Sequence, residues 1–232
     1  MRNIERKSYR RPMVKNSILP NLQSIYLDQM TEVRKRLNSA QYFVDCYSRT
    51  DSEIEFDCTV LQFRKALEAT AYAAISPNKD EYCAFRQRCE KSPDFTRDYN
   101  ARAILKNLEE INKDHYPIPL MPAVRQSDGT LHFGRKENGF LTRKKFEKIY
   151  DRLGKFLHAD NPWDTDKQRQ NIAKDIGASI PDLSNLLTLH ATFIRTENYS
   201  GVWVVEVPKD ENINPVVIQG SADGDFTVNK KL

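Results

Sequence analysis

Apolar side chains recur every three or four residues through most of this chain, which is the period of an amphipathic α-helix. This period runs from about Leu22 to Tyr47 and again from Ile54 to Ile75. It continues over residues 78–91 and 96–112, and its most regular stretch lies between Thr142 and His158. Because each apolar stripe needs a partner to cover it, we expect a mainly α fold in which these helices form a bundle.

Two regions depart from this helical period, namely residues 115–139 and the C-terminal segment after residue 196. Three prolines and three glycines fall between His115 and Gly139, which excludes regular structure there beyond a short hairpin at Asp128-Gly129. Residues 165–192 predict one or two helices interrupted near Pro181. Beyond them, β-branched runs predict a small C-terminal β meander at residues 202–207, 216–219 and 226–228.

These patterns divide the chain into a basic N-terminal arm at residues 1–18, a helical bundle at 19–195 and a small β appendage at 196–232. The first fifteen residues carry six Lys and Arg against one acid, Glu5. Such a composition is typical of a solvated tail, and it also resembles a nucleic-acid-binding arm or a transit peptide.

Composition narrows the class of protein. No apolar stretch reaches the roughly eighteen residues that span a bilayer, and the N-terminus lacks the apolar core of a signal peptide, so we expect a cytoplasmic protein without membrane contact. A formal net charge of +4 in 232 residues is only a mild bias toward polyanions. The cysteines form no CxxC pair and the histidines have no metal-ligand spacing, so we expect reduced thiols and no metal or other cofactor.

Arg152, Lys155 and His158 stand three residues apart on the most regular predicted helix, where successive members turn about 60° and rise about 4.5 Å. They form a polar ridge beside an apolar stripe that is expected to face the core. The stripe consists of Phe146, Ile149, Tyr150, Leu153, Phe156 and Leu157. A guanidinium near an imidazole is sufficient chemistry to cleave RNA without a metal. Arg125 and His132 have a similar spacing, but the turn signal between them leaves no helix to hold their geometry. A basic cluster leads into the ridge and is expected to bind the RNA backbone: Arg143, Lys144, Lys145 and Lys148.

Each of these residues also has an ordinary structural explanation. His158 at the C-terminal end of a helix would interact favourably with the helix dipole and pair with Asp160. Arg152 would be a solvated charge on an exposed face. Arg64 and Glu68 are one turn apart on the second helix. They either form an i,i+4 ion pair or lie beside the ridge, where Glu68 would orient His158 or Arg152.

The segment around Arg152 and His158 resembles the HEPN superfamily. It has an Arg, a short spacer and a His, followed by a small residue and a helix stop, on the last helix of a bundle. The segment Leu61–Ala71, which contains Arg64 and Glu68, is similar to the bundle helix that lies beside the Arg/His helix in such proteins. The resemblance covers about residues 20–160. It implies a metal-independent endoribonuclease, often a bacterial toxin or abortive-infection (anti-phage defence) effector, whose site is assembled by pairing two bundles.

By this resemblance Arg152 and His158 would be the catalytic residues, with Lys155, Glu68 and Arg64 in support. The 2′-OH of RNA would attack the adjacent phosphate and leave 2′,3′-cyclic phosphate and 5′-OH ends. The partners implied are RNA, a second copy of the chain, and an antitoxin or other regulatory protein. The sequence departs from the family pattern at Leu153, where many active members carry a polar residue.

Two other functions stay open. Non-catalytic HEPN bundles serve as dimerisation or protein-interaction modules, and the β segment would then be a docking element. Alternatively, the basic residues within 2–15 would make the chain a nucleic-acid-binding regulator.

Overall fold

A computed structural model describes residues 19–89, 93–159, 163, 168–196 and 199–221 of the chain. Most of these residues are helical, which confirms the mainly α class. The helices are α1 (Leu19–Thr50), α2 (Glu53–Ile75), α3 (Lys79–Gln87), α4 (Ala101–Ile111), α5 (Arg143–Gly154) and α6 (Arg169–Leu187). The strands are β1 (Ile118–Pro119), β2 (Val124–Arg125), β3 (Leu131–His132), β4 (Leu189–Thr196), β5 (Tyr199–Glu206) and β6 (Val216–Ser221).

Several predictions fall outside the described residues. They concern the basic arm at residues 1–18, the strand at 226–228, and the helix stop and acidic partner of His158 at residues 160–162.

Helices α1 and α2 form a helical hairpin joined by Asp51 and Ser52. Asp51 adopts a left-handed backbone conformation with a φ of 51°, and its N–H donates to the carbonyl of Tyr47 at 2.9 Å. This bond satisfies one of the free carbonyls at the end of α1, and aspartate is among the residues that enter this conformation at least cost. The apolar stripe of α2 is fully buried: Phe56, Val60, Phe63 and Leu67.

Side-chain caps begin α4 and α5. Oδ1 of Asn100 accepts from the N–H of Ala103 at 3.0 Å, and Oγ1 of Thr142 accepts from the N–H of Lys145 at 3.4 Å. Thr142 stands where the sequence predicts the start of α5, whereas α4 begins at Ala101 and not at residue 96. α5 packs against α2 and α4. The side chains that it buries are Phe146, Ile149, Tyr150 and Leu153.

The larger sheet has the strand order β1-β4-β5-β6, and every neighbouring pair is antiparallel. Strand β4 was not predicted, because Leu189 and His190 were assigned to a helix that the structure ends at Leu187. The predicted boundary between bundle and appendage at residues 195–196 therefore falls at the end of β4, inside the sheet.

The sheet and the helices share one apolar core. Trp203 of β5 is completely buried and meets Tyr26 of α1 edge-on, with 5.8 Å between ring centroids. Arg34, also on α1, donates hydrogen bonds to main-chain carbonyls in the loop that follows β5. The C-terminal strands are thus fastened to α1 by ring packing and by a buried cation.

Pro181 does not interrupt α6, which continues from Arg169 to Leu187. The prediction of a break there is wrong. A proline inside a helix removes one hydrogen bond, and here the loss is offset by packing on either side, because Ile180 and Leu183 are buried in the core.

The long irregular segment contains the predicted hairpin. β2 and β3 pair antiparallel, so Arg125 faces Leu131 and Val124 faces His132 across the ladder. Gly129 in the turn has a φ of 87°, which favours glycine. Among the described residues, no helix combines the length and the apolar character needed to cross a bilayer.

Candidate functional site

Helix α5 ends before it reaches His158. The α-helix stops at Gly154, a 3-10 turn covers Lys155–Leu157, and His158 has an extended backbone with φ of −112° and ψ of 156°. The prediction that Arg152 and His158 share one continuous helix is therefore wrong. Glycine is a poor helix former, and a 3-10 turn is a common way for the last turn of a helix to tighten.

The side chains of the predicted ridge lie in different surroundings. Arg152 is partly exposed and forms an ion pair through Nη1 with Oδ2 of Asp175 on α6. Lys155 and His158 are exposed to solvent. Leu157, predicted to face the core, is 40% exposed, because the 3-10 turn rotates it away from the position that a continuing α-helix would have. Leu153 is completely buried, as the sequence predicts.

Arg64 and Glu68 contact α5 one turn before the 3-10 segment. The Nε of Arg64 lies 3.1 Å from Oε1 of Glu68, which confirms the predicted i,i+4 ion pair. Arg64 also donates from Nη2 to the Tyr150 hydroxyl at 2.7 Å and from Nη1 to the Tyr150 carbonyl at 3.0 Å. Its guanidinium carbon lies 3.9 Å from the centroid of the Tyr150 ring.

The Tyr150 hydroxyl completes this cluster by donating to Oε1 of Glu68 at 3.1 Å. Burial is the main reason that the pKa of Tyr150 is raised to about 12, so the hydroxyl keeps its proton at neutral pH. A Cβ added at Gly154 would lie 3.6 Å from Nη1 of Arg64. Arg64 thus packs against the end of α5, next to the point where the helix tightens.

The two groups of polar residues lie on different sides of α5. Tyr150 and Gly154 face α2 through Arg64, whereas Arg152 faces α6 through Asp175. Within the described part of the chain, Glu68 contacts Arg64 and Tyr150 and has no hydrogen bond or ion pair with Arg152 or His158. Glu68 of α2 therefore supports α5 through Tyr150, and among the described residues it forms no hydrogen bond with the imidazole of His158.

The predicted RNA-binding residues fall into two classes. Arg143 is held by Glu109 at 2.7 Å and Glu147 at 3.1 Å, and its hydrogen bond lowers the pKa of Glu109. Lys145 lies 3.5 Å from Asp182, a weak contact. Lys144 and Lys148 are exposed, and no ion pair is found for either among the described residues. Together with Lys155, they are the cations of this segment that are free to meet a polyanion.

Sequence reasoning missed two residues of this region. Asp175 lies on the polar side of α6, and no local signal indicates that it would meet Arg152 of another helix. Tyr150 was assigned to the apolar stripe without any further role, and its ring is indeed buried. Its hydroxyl is the missed feature, because a buried tyrosine needs a hydrogen-bond partner and Arg64 and Glu68 were available one turn apart.

Metal-ligating side chains do not cluster in the described residues in groups of three or more. All four cysteines are unpaired thiols, and Cys46 is buried. The chemistry that this surface offers is therefore an exposed imidazole, a guanidinium in an exchangeable ion pair, and nearby lysines.

Comparisons with models of known protein families, with curated proteins and with solved structures gave no match to this chain.

Proposed function

We propose that this chain is a metal-independent endoribonuclease of the HEPN type, which acts as a homodimer and serves as a toxin or an anti-phage defence effector. The observation that carries the proposal is that Arg152, near the end of α5, is partly exposed and that Lys155 and His158, just beyond it, are exposed. All three side chains can reach a ligand in solvent. The helix that carries Arg152 is anchored in the core by the buried side chain of Leu153.

The reaction needs a proton acceptor, a proton donor and a cation. His158 removes the proton of the RNA 2′-OH or protonates the leaving 5′-oxygen, since an imidazole can do either near neutral pH. Arg152 stabilises the additional negative charge on the phosphorane. The P–O5′ bond breaks as the 2′-oxygen bonds to phosphorus, which leaves a 2′,3′-cyclic phosphate and a 5′-OH end. A second copy would bring a second Arg152 and His158 to a shared cleft.

The exposed lysines support substrate binding. Lys144 and Lys148 are one helical turn apart on the solvent side of α5, and Lys155 follows beyond its end. Cations in such a row suit the phosphates of an RNA strand, and their contribution to affinity decreases as salt concentration rises. Arg143 is less suited to this role because two carboxylates already bind it.

The test is incubation of the purified protein with RNA in EDTA, followed by analysis of the product ends. We expect cleavage with 2′,3′-cyclic phosphate termini, and its loss in His158→Ala and in Arg152→Ala. His132→Ala is the matched control, because His132 is also an exposed histidine but lies on the β2–β3 hairpin. Cleavage that requires a divalent metal, or that survives in His158→Ala, would contradict the proposal.

A second function is favoured by the ion pair between Arg152 and Asp175. If this pair is only structural, the bundle is a non-catalytic module. It binds either a second copy of the chain or a partner protein, such as an antitoxin or other regulator. In that case no RNA is cleaved, and Arg152→Ala and Asp175→Ala weaken self-association or stability equally. Sedimentation of the variants together with the cleavage assay separates the two functions.

A further inference from the structure

A cavity of about 320 Å³ lies between α1, α6 and the loop that follows β5, and none of the described residues that line it belongs to α5. Its floor consists of buried apolar side chains, namely Met30, Val33 and Leu37 of α1 and Ile180 and Leu187 of α6. This volume is at the lower end of the range for small-molecule sites, and it suits a ligand about as large as a nucleobase with its sugar.

The wall formed by the loop is held in place by Arg34. Its Nη1 donates to the carbonyls of Pro208, Asp210 and Ile213 at 2.8, 2.7 and 2.8 Å, and Nη2 donates to the carbonyl of Glu211 at 3.2 Å. The Arg34 side chain lines the cavity while its charge is satisfied by the loop. The cavity is therefore preformed, which lowers the entropic cost of ligand binding.

Three side-chain amides line the cavity, and each uses one N–H of its NH2 group elsewhere. Asn38 donates to Oε1 of Glu211, Gln41 to Oδ1 of Asp45 at 2.8 Å, and Asn185 to the carbonyl of Gly139 at 3.0 Å. Carboxylate and carbonyl oxygens only accept hydrogen bonds, so these partners fix which end of each amide is nitrogen. Each amide therefore keeps its oxygen as an acceptor and its second N–H as a donor.

Pro181 adds a fourth acceptor. A proline has no N–H, so the carbonyl of Gly177 lacks its usual donor four residues later in α6. Gly177 and Pro181 both line the cavity. A proline kept within a helix thus leaves a main-chain acceptor beside an apolar floor.

These acceptors are all neutral. No carboxylate is among the described residues that line the cavity, so the site is not built for a cationic ligand. At its edge, Lys209 is exposed and no ion pair is found for it among the described residues. The ligand that matches has flat apolar faces, an edge that carries an N–H donor beside an acceptor, and no positive charge, with space for an anionic group near Lys209.

We propose that this cavity binds the adenine base of a nucleoside or nucleotide. Asn and Gln side chains are common partners of adenine because the amide oxygen accepts from its N6 amino group while the amide NH2 donates to its N7. The apolar floor covers a face of the base. Lys209 lies where it can pair with a 5′-phosphate, so adenosine and adenosine 5′-monophosphate are the two sources of the same base. The site does not depend on the proposed ribonuclease activity.

The test is calorimetric titration of the full chain with adenosine, adenosine 5′-monophosphate and inosine. We expect adenosine to bind about tenfold more tightly than inosine, because inosine replaces the amino donor by a carbonyl acceptor that would face amide oxygens. If the phosphate contributes, the monophosphate binds more tightly than adenosine, and Lys209→Met removes that difference.

Two variants locate the site. Gln41→Leu removes an exposed acceptor at the rim, and Ser184→Leu fills part of the cavity. Both are expected to weaken adenosine binding at least about fivefold, whereas Gln126→Leu on the β2–β3 hairpin leaves it unchanged. If Ser184→Leu does not fold, Gln41→Leu carries the test because its side chain is at the surface. Absence of adenosine binding, equal binding of inosine, or unchanged binding in Gln41→Leu would overturn the proposal.

Discussion

The hydroxyl of Tyr26 in α1 lies 2.6 Å from Nε2 of His190 in β4. The Nδ1 atom of the same imidazole lies 2.8 Å from the carbonyl of Leu187, which can only accept, so Nδ1 carries the proton and Nε2 accepts from Tyr26. His190 is completely buried, and this burial lowers its pKa to about 4. The helical and β parts of the core are thus joined by a neutral histidine.

The first prediction is a loss of stability in mild acid. In the unfolded chain a histidine titrates near its ordinary pKa of about 6.5, whereas His190, and likewise buried His115, titrate at about 4 in the folded chain. Between these pKa values the unfolded state binds more protons, so the free energy of unfolding decreases as pH falls from about 6.5 to about 4. Each histidine contributes up to about 3 kcal/mol, measurable by urea unfolding at several pH values.

The histidine contribution can be separated from that of carboxylates by substitution. His190→Gln is expected to be less stable than the wild type at pH 7 but to lose less stability on acidification. His132→Gln should retain the wild-type pH dependence, because His132 is exposed on the hairpin. If the free energy of unfolding of His190→Gln depends on pH as steeply as that of the wild type, His190 is not the source of the acid sensitivity.

The second prediction concerns Arg34, which is buried and bound to four main-chain carbonyls. Arg34→Met keeps most of the aliphatic stem but leaves these carbonyls without their donors, and we expect a loss of about 3 kcal/mol in the free energy of unfolding. Arg36→Met is the matched control, because Arg36 is more exposed and bonds to the side chains of Glu32 and Gln62 and not to main-chain carbonyls of a loop. It should lose less than about 1 kcal/mol. Equal losses would show that the loop does not need Arg34.

The elements predicted from the sequence are those with local causes. α1, α2 and α5 follow from their own apolar period, α5 also from its cap at Thr142, and the β2–β3 hairpin follows from its turn residues. β4 was missed because one of its partners, β1, lies far from it along the chain, and because Leu189 and His190 also continue the apolar period of α6 although β5 follows directly. An apolar run of this length is ambiguous between helix and strand.

In the candidate site too, features with local causes were predictable and contacts between helices were not. Exposure of Lys155 and burial of Leu153 follow from position on the helix and were predictable. The end of α5 at Gly154 involves Arg64 of α2, and the partner of Arg152 is Asp175 of α6. Both depend on which helices are neighbours, and a helical period does not determine that. The position of His158 on an extended residue was therefore not predictable from spacing.

The third prediction tests the cluster beneath α5. Tyr150→Phe removes a hydroxyl that bonds to both Arg64 and Glu68 but keeps the ring against the guanidinium. We expect a loss of about 1–2 kcal/mol in the free energy of unfolding, since two partly buried partners lose a hydrogen bond. Tyr99→Phe, whose side chain is 75% exposed, should have almost no effect. An unchanged free energy of unfolding in Tyr150→Phe would mean that solvent replaces the hydroxyl without cost.

The last prediction concerns Asp175 and rests on the proposed ribonuclease function. The ion pair of Arg152 with Asp175 is partly exposed on both sides, and such pairs contribute at most about 1 kcal/mol. A phosphate can therefore displace the carboxylate at small cost. In Asp175→Asn the guanidinium no longer has a charged competitor, so we expect the KM for RNA to fall about two- to fivefold with little change in kcat. Asp45→Asn is the matched control and should leave KM nearly unchanged, because Asp45 is an exposed aspartate of α1 whose hydrogen-bond partner is Gln41, outside the proposed RNA-binding residues. A higher KM in Asp175→Asn would indicate instead that the carboxylate holds Arg152 in the orientation that RNA needs.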